Sequence, residues 1–178
     1  MPEVRVGLSI SLTGRLRQQG EQAWNALQLW AGYVNARGGL PVGPGTRGLP
    51  VRLIGYDDGS RRDRAQTNVR RLLDEDRVDV LLGPYSSGLT MAVAPIAAAA
   101  GTLLWNHGGA SDAIHEQGWR HVISVLAPAS TYFQALPGLL VAPGPLSLVK
   151  APATCRISIA HAAGGTFAGK VVAGLVEA

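Results

Sequence analysis

Ser86-Ser87-Gly88 follows the apolar run Val78-Asp79-Val80-Leu81-Leu82-Gly83 and opens a stretch of helical periodicity. Serine hydroxyls beside the free N–H groups of a helix N-terminus suit an anion such as a carboxylate, because the helix dipole adds to donors with no intrahelical partner. Simple capping by one serine is the alternative, and both can hold at once. Asp57-Asp58 closes another apolar run. A carboxylate there can hold a ribose hydroxyl or a metal, but no glycine loop follows the first apolar run, so turn chemistry is the reading adopted. His107 lies in a loop after a third such run and is a candidate ligand contact, whereas His121 abuts an apolar run and reads as structural.

Other chemistries find little footing. Gly43-Pro44-Gly45-Thr46-Arg47-Gly48 matches GxGxxG literally, yet a helix precedes it, a strand follows it and Pro44 removes a backbone donor, so it reads as a surface loop. The four histidines lack HExxH or Cys/His spacing, and the single Cys155 excludes an intramolecular disulfide and an all-cysteine zinc cluster. There is no GxSxG, no P-loop and no pair of carboxylates on opposing loops, so Ser86, Ser87 and Ser111 have no general base assigned to them. No enzyme, metal or cofactor is expected.

The elements that must carry these residues alternate in period. Val4-Arg5-Val6-Gly7-Leu8-Ser9-Ile10 reads as a strand, and Ala23, Leu27, Trp30, Ala31 and Val34 then recur at helical spacing up to Gly38-Gly39. Strands follow at 51–56, 78–83, 102–105 and 121–125, separated by helices that bury Ala65, Val69, Leu72 and Leu73, then Leu89, Val93 and Ile96. Ser60 with Asp63 is expected to cap the second helix, and Pro95 to kink the third or mark its boundary. Such switching marks βαβ units and a mainly parallel sheet covered on both faces, an α/β three-layer sandwich whose ligands sit beyond the C-terminal strand ends. The loops at 11–19, 56–60, 83–88 and 106–112 are therefore the ones of interest. Beyond residue 126 five prolines punctuate the chain. A short helix within 129–140, a strand at 156–160, a turn at Gly164-Gly165-Thr166 and a helix at 168–178 are expected there.

The 178 residues are 47% hydrophobic and 16% charged, which excludes a fully disordered chain. Sixteen Lys+Arg against 12 Asp+Glu give a formal +4, but the basic residues interleave with acids, as in Arg61-Arg62-Asp63-Arg64. With aromatics at 6%, no nucleic-acid surface is expected. Residues 92–100, among the longest apolar runs, contain Pro95 and fall short of the ~20 residues that span a bilayer. No basic segment precedes the first strand, so no export leader is expected within this stretch.

The blocks in order carry a family resemblance. Val6-Gly7-Leu8-Ser9-Ile10-Ser11-Leu12-Thr13-Gly14, Gln19-Gly20, Val34-Asn35-Ala36-Arg37-Gly38-Gly39, Leu53-Ile54-Gly55-Tyr56-Asp57-Asp58, Val78 through Gly88, and Ala94-Pro95-Ile96-Ala97 resemble the N-terminal part of type-1 periplasmic binding proteins of the leucine/isoleucine/valine type. The resemblance implies an incomplete type-1 fold. Residues 1–126 would be a first lobe lacking its returning strands, and 127–178 a crossover with the start of a second lobe. It further implies an extracytoplasmic protein that binds a branched-chain amino acid or related small amide and delivers it to an ABC transporter permease. Ser87 matches a position that holds the ligand carboxylate, Gly109 and Ser111 match the loop that supplies a carbonyl and a hydroxyl, and Tyr85 resembles an aromatic used by amide-binding relatives. His107 and Gly108 depart from the common pattern, and Ala163-Gly164-Gly165 lacks the usual aromatic, for which Phe167 is the substitute. A ligand-sensing receptor domain and a small α/β enzyme are the rival readings.

Overall fold

The computed structural model describes residues 2–141, 158–160 and 166–177. The chain divides into two compact units, Met1–Gly109 with Gly118–Leu126, and Ala110–Gln117 with Ala127–Ala178.

In the first unit, β1 (Val4–Ile10), β2 (Val51–Asp57), β3 (Val80–Leu82), β4 (Leu103–Asn106) and β5 (Val122–Ser124) form one sheet of order β2-β1-β3-β4-β5. Every pairing is parallel, with Val6 opposite both Leu53 and Val80, and Trp105 opposite both Leu82 and Ile123. Parallel strands need crossovers, and the helices supply them. The helices α2 (Arg62–Asp74) and α3 (Ser87–Ala99) bury Ala65, Val69, Leu72, Leu89, Val93, Ala94 and Ala97 against Leu81 and Leu104. The helix α1 (Arg17–Ala36) packs Ala23, Trp24, Leu27, Ala31 and Val34 on the opposite face, against Val6, Leu8, Ile10 and Val51. This is the expected three-layer α/β arrangement. Leu8, Leu72, Leu81 and Leu104 lie fully buried within it, and each contributes about 2 kcal/mol through lost apolar hydration.

Local chemistry sets the ends of the elements. Gly38 and Gly39 follow α1 with φ of 97° and 93°, a conformation that glycine adopts without strain. Gly20, near the start of α1, lies so close to the loop after β1 that a Cβ there would fall 1.9 Å from the Ser11 carbonyl oxygen. Three expectations are corrected. The third strand is shorter than its apolar run: it spans Val80–Leu82, with Asp79 N and Gly83 N donating to Arg5 O and Trp105 O at its two ends. Pro95 lies inside α3, which continues to Ala99, so it is no boundary. Ser60 does not cap α2: Arg61 is the N-cap residue, and the Ser60 hydroxyl accepts from Leu16 N (3.0 Å) and donates to Thr13 O (2.9 Å), joining the loops after β1 and β2.

The second unit contains α4 (Asp112–Glu116), a 3-10 turn at Ala129–Thr131, α5 (Leu136–Val141) and α6 (Thr166–Glu177). The 3-10 turn packs on α6 at Gly174, where a Cβ would lie 1.8 Å from Ser130 O. Asp112 accepts from the Ser130 hydroxyl and from its backbone N–H. Burial is the largest single influence and opposes its charge, but the Ser130 hydroxyl bond, the backbone N–H groups of Asp112 and Ser130 and the Lys170 charge together hold its carboxyl below the usual range. Of the strand expected at 156–160, Arg156 and Ile157 lie outside the described residues, and Ser158–Ala160 form no strand. The turn expected at Gly164-Gly165 lies outside them as well.

Candidate functional site

The sheet order reverses between β1 and β3, so the loops that follow these two strands border the crevice where open parallel sheets commonly take ligands. The β3–α3 turn, Gly83 to Ser86, is built by three constraints. Pro84 is fully buried and Tyr85 is 39% exposed. Ser86 stands at φ 94° and ψ 143°, a region that side chains rarely occupy, and serves as N-cap of α3 by accepting from Leu89 N at 3.3 Å. Strain of this kind costs about 1–3 kcal/mol and persists only where surrounding contacts enforce it. Here the enforcing contact is Ser86 N donating to Gly108 O at 3.1 Å. Gly108 abuts the turn closely enough that a Cβ on it would lie 2.7 Å from Tyr85 Cα and 3.0 Å from Pro84 O.

Asn106 holds that neighbouring loop. It is fully buried at the end of β4. Its Nδ2 donates to Gly109 O (2.7 Å) and Ser124 Oγ (2.9 Å), while its Oδ1 accepts from Gly109 N (2.8 Å) and Gly108 N (3.3 Å). One amide therefore fixes the loop whose Gly108 carbonyl fixes Ser86. Both backbone polar groups of Gly109 are engaged by Asn106, so the residue acts as a brace as well as a candidate contact. Asn106 was absent from the sequence-derived candidates. Its signal was available in principle, as a polar residue in phase with the buried Leu104 in an apolar strand.

Tyr85, Ser86, Ser87 and Gly109 thus come from two adjacent loops of one unit. Ser87 is the first residue of α3. His107 is placed differently: with Val6, Trp30, Val80, Leu82 and Trp105 it lines a cavity of about 660 Å3 on the α1 side of the sheet. Its ring nitrogens are both buried without a hydrogen-bond partner, and burial pushes the imidazole pKa below its ordinary value. Ser111, the N-cap of α4, belongs to the second unit, where it is buried and its carbonyl accepts from Ile114 N. Phe167 packs edge-to-face on Tyr132 in the same unit, at 5.6 Å between ring centroids.

Asp57 and Asp58 are used within the fold. Buried Asp58 accepts from Ser11 Oγ (2.6 Å), Ser9 Oγ (3.1 Å) and Ser60 N (2.7 Å). Asp57 accepts from Thr13 Oγ1, Thr13 N, Leu12 N and Gly59 N. Burial opposes its charge, but these hydrogen bonds, led by Thr13 Oγ1, hold its carboxyl below the usual range. The two aspartates stitch the loops after β1 and β2 together. Among the described residues no cluster of three or more His, Cys, Asp or Glu is placed to hold a metal ion.

Residues 3–144 match the family model described as periplasmic binding protein. The chain belongs to that family. The family is one of solute-binding proteins without catalytic activity, and the parallel sheet with its helices described above is an incomplete type-1 fold of that family. An amino acid binding protein of Pseudomonas aeruginosa is 25% identical over 118 residues, covering 66% of this chain and 30% of the relative. The branched-chain amino acid transporter substrate-binding protein LivJ of Streptococcus pneumoniae, solved with isoleucine, superposes with a TM-score of 0.68 at 21% identity, covering 78% of this chain and 38% of that one. A solute-binding protein of an ABC transporter from Rhodopseudomonas palustris, solved with 3,4-dihydroxybenzoic acid, gives 0.63 at 22% identity, covering 77% and 37%. The chain spans about a third of the length of the curated relatives it matches.

Proposed function

We propose that this chain provides one wall of a solute site in the binding component of an ABC-type importer, outside the cytoplasmic membrane, with a membrane permease as partner. The solute is a branched-chain amino acid or related small amide, held by its carboxylate or amide oxygen at Ser86, Ser87 and the N-terminus of α3, with Tyr85 beside it. The observation that carries this reading is Ser86, a non-glycine residue locked at φ 94° where the α3 N-terminus meets the C-terminal end of a parallel sheet. Backbone strain kept at such a point accompanies pre-organised ligand contacts. Two solved relatives of this fold hold isoleucine and 3,4-dihydroxybenzoic acid, which share a carboxylate. Residues 1–126 are read as the first lobe and 127–178 as the crossover to a second.

The test is a calorimetric thermal scan of the purified chain with a panel of branched-chain, polar and aromatic amino acids and short amides. One ligand class is expected to raise a cooperative transition in proportion to the logarithm of its concentration, by about 2.7 kcal/mol at a hundredfold excess over Kd. Replacing both Ser86 and Ser87 by Ala abolishes that shift. A transition indifferent to the whole panel, or unchanged affinity in the double variant, overturns the assignment.

A further inference from the structure

Helices α2 and α3 pack together on the covered face of the sheet, and each begins just past the C-terminal end of a strand. Gln66 Nε2 donates to Ala92 O at 3.1 Å and fixes the register of the pair. One turn nearer the N-terminus on each helix stand Arg62 and Gly88. Arg62 is the first residue of α2, and its guanidinium lies against Gly88. A Cβ on Gly88 would fall 3.1 Å from Nη2, 3.6 Å from Nε and 3.8 Å from Cζ. The missing side chain at residue 88 therefore gives the guanidinium its place beside the first turn of α3, next in sequence to Ser86 and Ser87.

That charge is uncompensated. Arg61 pairs with Asp63 at 2.7 Å and Arg71 with Glu75 at 3.1 Å, whereas Arg62 has no ion-pair or hydrogen-bond partner among the described residues. Helix α3 carries no acidic residue in its first turn to offset its dipole. The nearby acids Asp57 and Asp58 are taken up by hydroxyls and backbone N–H groups of the loops after β1 and β2. A cation at the positive end of a helix dipole is unfavourable, and Arg62 stands at two such ends, its own helix and α3. An anion between the guanidinium and the N–H groups of α3 makes both interactions favourable.

We propose that Arg62 is a specificity-determining residue that selects a carboxylate over the isosteric amide. The inference rests on the solute site proposed above and narrows its ligand to one with a free carboxylate, an amino acid rather than a small amide. Hydroxyl and backbone N–H donors bond to a neutral carbonyl oxygen as well as to a carboxylate, so the α3 N-terminus alone discriminates weakly. A guanidinium discriminates strongly, because its hydrogen bond to a carboxylate is charge-assisted and about twice as strong as a neutral one. Arg62 is exposed, so its head group is free to turn toward a carboxylate seated at Ser86 and Ser87.

The test is titration calorimetry of the full chain with leucine and leucinamide at about pH 6.5, where both α-amines are protonated and the probes differ only in the carboxyl group. Wild type is expected to prefer leucine by about tenfold or more. Arg62→Gln is expected to weaken leucine about tenfold and leucinamide less than about twofold, with Arg62→Lys keeping part of the preference. Gly88→Ala, whose methyl displaces the guanidinium, lowers the preference without loss of stability, since alanine is the better helix former. Arg64→Gln removes an equal charge from a guanidinium that lies against Gly59 instead, and leaves the preference intact. Circular dichroism spectra of all variants match wild type. If wild type binds neither probe, the solute site falls and this proposal with it. If Ser86→Ala with Ser87→Ala abolishes binding, yet wild type holds both probes equally, Arg62→Gln weakens them alike, or Arg64→Gln acts as strongly, the site stands and Arg62 is not its selector.

Discussion

Replacing Asn106 by Ala removes the brace between the sheet and the loop that holds Ser86. The side chain is fully buried and makes five hydrogen bonds, four of 2.7–3.3 Å to Gly108, Gly109 and Ser124 and a long one of 3.5 Å accepted from Thr90 Oγ1. Each such bond contributes about 1 kcal/mol net, and the backbone groups of Gly109 would be left buried without their partner. The expected loss is therefore about 3–4 kcal/mol, a large fraction of the 5–15 kcal/mol typical of a domain. Ser124→Ala serves as the internal scale, since it deletes one 2.9 Å bond and leaves the Asn106–Gly109 pair in place; about 1 kcal/mol is expected. Urea denaturation followed by circular dichroism reads both values. Asn106→Ala should also weaken binding at the proposed solute site beyond what stability explains, because Gly108 O no longer fixes Ser86 N. If Asn106→Ala costs no more than Ser124→Ala, the brace argument fails.

Three further predictions concern these loops and those after β1 and β2. Ser86→Gly should stabilise the chain by about 1 kcal/mol, because glycine accepts φ 94° and substitutes for a serine cap at a loss of only a few tenths; Ser86→Ala should destabilise it, and a reversed order in thermal denaturation rejects strain at this residue. Gly108→Ala should depress affinity for the proposed solute at least tenfold in titration calorimetry, since its methyl would press on Tyr85 Cα and Pro84 O; equal affinity would show that the two loops need not touch. Asp57 has a folded-state pKa lowered from 3.8. Its contribution is thus fully present above the unfolded value and is lost as pH falls through the folded one, so Asp57→Asn should flatten the acid limb of the stability curve below about pH 4. An unchanged acid limb counts against the bonds from Thr13, Leu12 and Gly59.

Period and punctuation in the chain determined the order of elements, the parallel sheet and the loops of interest. Apolar alternation in residues 4–10 and helical spacing from Ala23 to Val34 are each encoded within one element, so they survive reading without tertiary contacts. Ser86-Ser87-Gly88 was legible as a helix start for the same local reason. What depends on residues distant in sequence was not legible. Ser60 looked like a cap because Asp63 lies three residues on, yet its hydroxyl goes to Thr13 and Leu16, 47 and 44 positions away. His107 was legible as a strand-end loop residue, whereas its place in the α1 side of the sheet beside Trp30 and Trp105 is set by the tertiary structure. The strain at Ser86 and the role of Asn106 arise only when β4 lies beside β3 and Gly108 meets the turn. Strand pairing brings those loops within hydrogen-bond reach, and a local pattern carries no record of which loop becomes which neighbour.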